Sequence, residues 1–321
     1  MRGGSAGIID LSARSRILVN GSEAGQFLNG LITNDMKTLA EHTWMPAIFP
    51  NVQGRLLAAV RVINRGDGFL IDTESTTRET VVKLLDRFTM AGDFRVADLT
   101  EETACLSVQG RQAEAIVRCV FNALPERQKI VAAHVENDVT IIRATHTAED
   151  GFDLICNAGD AARIQALLMD AGAELVTDNV VETLRIEAGI PRFGIDMDET
   201  TVVTETNLDD AVSFTKGCYL GQEIIIRIKH RGHVAKKLTG VSFAGRIHLE
   251  RDARLTTVDE REIGRVTSST YSPILDRTVA LAYVKYEYVE PGTEVKTGSG
   301  ESQLFGKVDE LPFVRGSWSQ N

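Results

Sequence analysis

Hydrophobic positions recur along this chain with two periods, and the switches between them mark its elements. Residues 17–20 read as a short strand, after which Phe27, Leu28 and Leu31 share one face of a helix that Ser22 is placed to cap. Thr33, Asn34 and Asp35 follow, residue types whose side chains bond nearby backbone and end helices. Two extended runs, 55–63 and 68–72, flank Asn64-Arg65-Gly66-Asp67, a hairpin signal. Thr76 and Glu79 spell a capping box for a helix through Arg87, with Val81, Val82, Leu84, Leu85 and Phe88 on its buried side. Strands are predicted at 104–108, 139–143 and 152–156, and helices at 112–121 and 161–171, with Gly172 as the residue past the second helix. Asn179 and Glu182 offer another capping box for a helix to about Ala188, stopped by Gly189 and Pro191. Strands mixed with helices and joined by hairpins predict α+β layers rather than a doubly wound parallel sheet. Beyond Lys237 the helical period disappears. Short runs at 238–243, 262–268, 278–284 and 293–296, separated by Gly, Pro and Asp turns, predict a small β-barrel or sandwich. The expected domains are therefore 1–236 and 237–321.

Composition narrows the class. With 321 residues, 43% hydrophobic and 25% charged, the chain is long enough and apolar enough to build more than one core. No apolar run approaches the ~20 residues of a spanning helix, so no membrane association is expected. The first residues lack the apolar stretch of a secretory signal, and four cysteines at 105, 119, 156 and 218 form no C-x-x-C pair. A reducing cytoplasm is the expected location, with no disulfide framework, zinc ribbon or self-contained iron–sulfur cluster. Gly3-Gly4-Ser5-Ala6-Gly7 matches G-x-S-x-G without the strand and helix that a nucleophile elbow needs. His230 and His233 lack a third ligand and sit among cations, so no metal site is expected there.

Charge is distributed unevenly. The chain carries −10 overall, from 35 basic and 45 acidic residues. Between 216 and 237, however, Lys216, Arg227, Lys229, Arg231, Lys236 and Lys237 face only Glu223. Such a basic island is either a solvated face or a landing site for an anion. It begins at Lys216-Gly217-Cys218-Tyr219-Leu220-Gly221-Gln222-Glu223, where Cys218 lies two residues from a cation that would favour its thiolate.

That octapeptide closely resembles the K-G-C-Y-x-G-Q-E signature of the YgfZ family, folate-binding proteins implicated in maintaining iron–sulfur enzymes and in tRNA modification. Residues 21–35, 185–194 (R-I-E-A-G-I-P-R-F-G) and 264–273 (G-R-V-T-S-S-T-Y-S-P) are similar to segments that YgfZ proteins share with the glycine-cleavage T-protein, a tetrahydrofolate-dependent aminomethyltransferase with a GcvT-like fold. The resemblance implies two α+β, ferredoxin-like subdomains and a C-terminal β-barrel in a ring-like arrangement, with tetrahydrofolate or a derivative as ligand. It implies catalytic roles for Cys218 and Lys216, and folate contacts from Glu187, Tyr219, Arg227 and Asn34. A carboxylate such as Glu187 suits a 2-amino-4-oxopyrimidine edge because it accepts two parallel hydrogen bonds. One departure bears on activity: T-protein has acidic residues after its G-G-x-x motif, whereas this chain has Gly54-Arg55-Leu56-Leu57-Ala58-Ala59. Alanine cannot relay a proton. The leading expectation is thus an accessory protein for iron–sulfur cluster assembly or repair in client enzymes. Its rivals are a tetrahydrofolate-dependent aminomethyltransferase and a tRNA-modification accessory protein that docks RNA on the basic island.

Overall fold

A computed structural model describes residues 3–87, 92–122, 124, 139–298, 300 and 303–320. Phe88, expected on the buried side of a helix, lies outside them, as does the side chain of Arg231.

The chain opens with β1 (Ala6–Asp10) and crosses directly to β2 (Ser15–Asn20) and the helix α1 (Ala24–Leu31). β3 (Trp44–Pro50), β4 (Leu56–Asn64) and β5 (Phe69–Thr73) form a meander, followed by α2 (Arg78–Asp86) and β6 (Arg95–Asp98). These strands make an antiparallel sheet of order β3-β4-β5-β2-β6. Its pleat sorts the side chains of β4: Ala58, Val60 and Val62 join Leu28, Val81 and Leu85 in the core beneath the helices, while Ala59, Arg61 and Ile63 face the other way. β3 carries Pro46 and Pro50, residues that interrupt a strand pattern and hid this element in the sequence. As an edge strand it tolerates Pro46, whose missing N–H breaks no central ladder.

A second sheet follows from β7 (Thr103–Gln109), α3 (Ala113–Phe121), β8 (Thr140–Arg143), β9 (Gly151–Asn157), α4 (Ala161–Asp170) and β10 (Ala173–Leu175). Its order is β10-β1-β7-β9-β8, so the N-terminal strand sits inside it. The β1–β10 pairing is parallel and the others are antiparallel. α3 and α4 cover one face. The other face meets the first sheet through Ile63, Leu70, Cys105, Ile142 and Ile155.

After α5 (Asp178–Glu187) and a long irregular stretch comes α6 (Gln222–Arg231), then six strands: β11 (Lys236–Ala244), β12 (Arg254–Thr256), β13 (Glu262–Ser272), β14 (Arg277–Lys285), β15 (Glu294–Thr297) and β16 (Leu304–Asp309). They close into a barrel in the order β11-β14-β13-β12-β15-β16, filled by Val241, Phe243, Leu255, Ile263, Val266 and Val284. Closure leaves no free strand edge. The expected α+β fold with a C-terminal barrel is the fold observed.

Local chemistry departs from the pattern at several helix starts. Ser22 does not cap α1; its hydroxyl donates to Asp93 at 2.6 Å, and Glu23 occupies the cap position. Thr76 and Glu79 form no box, because a 3-10 turn at Ser75–Thr77 precedes α2 and Glu79 pairs with Lys83 instead. α5 begins at Asp178, and Glu182 turns to Arg185. α6 was not legible because Ile224, Ile225 and Ile226 are a β-branched run with weak helix preference. Tertiary packing decides it: Ile225 is buried with Leu56 and Val203, and Gly54 lies against Ile224 and Ile225 with no room for a side chain to spare.

Candidate functional site in the first sheet and the Cys218 turn

The face of β4 that carries Ala59 and Arg61 forms a wall with two halves. The first half is apolar: Ile48, which pairs with Ala59 across the strands, joins Leu56, Met197, Val203, Ala211, Tyr219 and Ile225. Tyr219 is 7% exposed, and its hydroxyl is buried with no hydrogen-bond partner among the described residues. Burial raises this phenol to about 12, so at neutral pH it is a proton donor in want of an acceptor.

The second half is charged and was not visible in the sequence. Arg61 Nε donates to Asp72 at 2.7 Å and its Nη1 reaches Asp153, on the facing sheet, at 2.6 Å. Arg14 holds Asp72 from the other side at 3.0 Å and also pairs with Glu74, while His146 Nε2 lies 3.0 Å from Asp153. Burial opposes ionisation of both aspartates, but their neighbours outweigh it: Arg14 and Arg61 hold Asp72 below its ordinary value, and the contacts to His146 and Arg61 do the same for Asp153. For Arg61 burial works against the charge, and Asp72 and Asp153 overcome it. One guanidinium nitrogen, Arg61 Nη2, is buried without a partner among the described residues. The wall therefore offers two orphaned donors, a phenol at one end and a guanidinium N–H at the other.

The Cys218 turn joins this wall through Tyr219. Cys218 itself is exposed. Lys216 is not: at 7% exposure its ammonium donates to the carbonyl oxygens of Asn29 (2.7 Å), Ile32 (2.9 Å) and Asn34 (2.7 Å) and lies 5.0 Å from the Tyr219 ring centre. Burial pushes this amine down to about 8, with Asp35 opposing the change. Three N–H groups meet three carbonyls, which leaves Lys216 no donor for an anion. The basic island is accordingly smaller than its sequence count: Lys216 is interior, and Lys236 lies over the Tyr283 ring and near Glu205. Arg227, Lys229 and His230 are exposed on α6. Asn34 is likewise committed, its amide donating to Pro46 at 2.8 Å and Asp210 at 3.0 Å.

Glu187 belongs to a different contact. It ends α5, is 1% exposed, and accepts from the Ser272 hydroxyl at 2.5 Å. Nearby, Asp196 accepts from Arg185 (2.5 Å), Thr267 (2.6 Å) and Ser268 (2.7 Å), tying the segment after α5 to β13. The 185–194 and 264–273 segments are thus the two sides of one joint.

Among the described residues no group of three or more His, Cys, Asp or Glu could hold a metal, and no helix is long and apolar enough to cross a membrane. A cleft of about 840 Å³ lies on the barrel between Val258, Arg277, Phe305 and Lys307, and none of the sequence-nominated residues lines it.

Comparison with known proteins accounts for this architecture. Residues 3–216 match the GCVT N-terminal domain, and residues 236–314 match the glycine cleavage T-protein C-terminal barrel domain. An aminomethyltransferase of Rubrobacter xylanophilus is 32% identical over 97% of this chain and 83% of its own length. One from Geobacillus kaustophilus is 29% identical over 97% and 87%. The crystal structure of the glycine cleavage system aminomethyltransferase T from Bartonella henselae superposes with a TM-score of 0.89 at 25% identity, covering 97% of this chain and 87% of that one. The chain belongs to the glycine cleavage T-protein family of GcvT-like aminomethyltransferases.

Proposed function

We propose that this protein binds tetrahydrofolate or a derivative and acts in one-carbon transfer. The observation that carries this reading is the match, in sequence and in fold, to proteins named aminomethyltransferase over 97% of the chain. These relatives favour folate-dependent aminomethyl transfer over the iron–sulfur accessory role expected from the octapeptide.

What supports a ligand at the wall beside β4 is its pair of buried donors without partners among the described residues. A buried unpaired donor costs about 1–3 kcal/mol, and a ligand oxygen or ring nitrogen that accepts from Tyr219 or Arg61 Nη2 removes that cost. Glu187, which lies at the α5–β13 joint and not on this wall, would accept the pyrimidine N–H groups only by giving up the Ser272 hydroxyl, and the exposed Arg227 would meet the glutamate tail. Bound folate supplies a ring nitrogen that carries the one-carbon unit. The protein orients it and excludes water through the apolar half of the wall.

A second reading rests on a separate observation. Ala58 and Ala59 stand after Gly54-Arg55-Leu56-Leu57, with no carboxylate to assist proton transfer, while the exposed Cys218 sits in the turn leading to Tyr219. In that reading the protein uses bound folate and the Cys218 thiol to support iron–sulfur enzymes.

Calorimetric titration with tetrahydrofolate and its 5-formyl form tests the ligand. Binding is expected in the wild type and weaker binding in Tyr219→Phe and Glu187→Gln; no wild-type binding removes the folate assignment. Formation of methylene-tetrahydrofolate from a methylamine-type donor separates the two readings. Product absent in the wild type, with folate binding intact, turns the choice to the second.

A further inference from the structure

The C-terminal end of α1 has an electrostatic deficit that its own sequence leaves unmet. A helix ends with carbonyls that lack intrahelical partners and a partial negative charge that a cation relieves. The last turn of α1 contains no basic residue. The carbonyls of Asn29 and Ile32 instead receive the ammonium of Lys216, 187 and 184 residues away in sequence. Asn34, just beyond, accepts the third N–H, and the backbone N–H of Leu220 donates to Gly30 at 3.2 Å.

The rest of the octapeptide is organised around that contact. Gln222 Nε2 donates to the carbonyls of Lys216 and Gly217, both at 3.3 Å, closing the turn on itself. Gly221 has φ +77°, and a side chain there would lie 2.3 Å from the Asn51 oxygen. The Tyr219 ring packs beneath the ammonium. Upstream, Ser213 N–H donates to Thr33 at 3.0 Å, and the Thr33 hydroxyl donates to Ala211 at 2.6 Å. Cys218, by contrast, is exposed between these anchors.

We propose that Lys216 is a positioning residue: its ammonium clasps the 216–222 turn to the C-terminal end of α1 and thereby sets where Cys218 is presented. It does not contact substrate. The clasp bears on the Cys218 reading without requiring it, because it concerns where the thiol is held and not what the thiol does.

The test uses the full chain, and no step in it depends on activity. Wild type, Lys216→Met and Lys216→Arg are compared by the rate of Cys218 alkylation with iodoacetamide, with the exposed Cys119 on α3 as internal reference, and by amide hydrogen exchange across 29–34 and 213–222. In Lys216→Met, exchange in both segments should quicken at least tenfold and the Cys218 rate should change more than threefold, while Cys119 stays constant. Lys216→Arg should fall between, since a planar guanidinium cannot converge on three carbonyls. Unchanged exchange and an unchanged Cys218 rate in Lys216→Met overturn the proposal. Should that variant fail to fold, reductive methylation of the wild type at neutral pH decides. Lys216 should resist while the exposed Lys83 reacts, and equal modification of the two overturns the clasp.

Discussion

Replacing Arg61 by Met should destabilise the protein more than any other single change to the charged half of the wall. The guanidinium makes two buried contacts, to Asp72 at 2.7 Å and Asp153 at 2.6 Å, with both aspartates at most 1% exposed. Removing one member of a buried pair costs about 3–5 kcal/mol, because the remaining charge is stranded. Asp72 keeps Arg14, and Asp153 keeps its hydrogen-bond contacts to His146 and Ser107, so the lower end, ~3 kcal/mol, is expected. Urea unfolding at pH 7 measures it, following the transition of the two sheets. The pH dependence is the sharper arm. Both aspartates are held below their ordinary values in the folded state, so their contribution is complete above the unfolded carboxylate pKa of about 4 and is lost as pH falls through the folded values. The gap between wild type and Arg61→Met should therefore narrow from pH 7 to pH 2. Adding Asp153→Asn to Arg61→Met should recover about 1–2 kcal/mol at pH 7, since one stranded charge is gone. A variant within ~1 kcal/mol of wild type at pH 7, with an unchanged acid profile, refutes the account.

Three further outcomes are expected. Asp196→Ala leaves the buried Arg185 with Glu182 and the Ile190 carbonyl, removes the acceptor of the Ser268 hydroxyl and leaves Thr267 only the Leu281 carbonyl; a loss of about 3 kcal/mol and faster proteolysis between α5 and the barrel should follow. Gly221→Ala combines a left-handed backbone with a clash against the Asn51 oxygen and should cost at least ~2 kcal/mol by denaturant titration; a neutral result means that the turn is built differently. Native alkylation read by mass spectrometry should modify Cys119 and Cys218 and spare Cys105 and Cys156 until denaturant is added, Cys105 being buried with its thiol pushed well up by that burial.

What the sequence disclosed about the fold follows from the range of the forces involved. Elements whose signal is a local period were legible: β4 and β5 with their Asn64-to-Asp67 turn, α4 with Gly172 beyond it, and the run of strands after 236. Elements set by distant contact were not. α6 is helical because Ile225 has a pocket to fill, and β3 survives its prolines because it lies at an edge. Capping boxes misled for a related reason, since Glu79 and Glu182 found cationic partners that served them better than a backbone N–H.

The candidate site divides along the same line. The recognisable segments proved to be surfaces that meet: 33–35 with 211–216, and 185–196 with 264–273. Motif density in this chain marks where remote stretches must fit, so most motif residues are occupied in fitting. Lys216 stood out as a candidate catalytic residue and Asn34 as a candidate folate contact, yet the structure commits their side-chain donors to main-chain carbonyls. On this wall the buried polar atoms without partners among the described residues are instead the Tyr219 hydroxyl, inside the octapeptide, and Arg61 Nη2, inside an unremarkable strand, while Ser15, Thr204, Arg277 and Tyr283 carry others elsewhere. No pattern in the sequence could nominate Arg61, because its significance comes from Asp153 on another sheet. A motif therefore locates the neighbourhood of the proposed site, and within that neighbourhood the Tyr219 hydroxyl and Arg61 Nη2 are the unpaired atoms that the proposed ligand would engage.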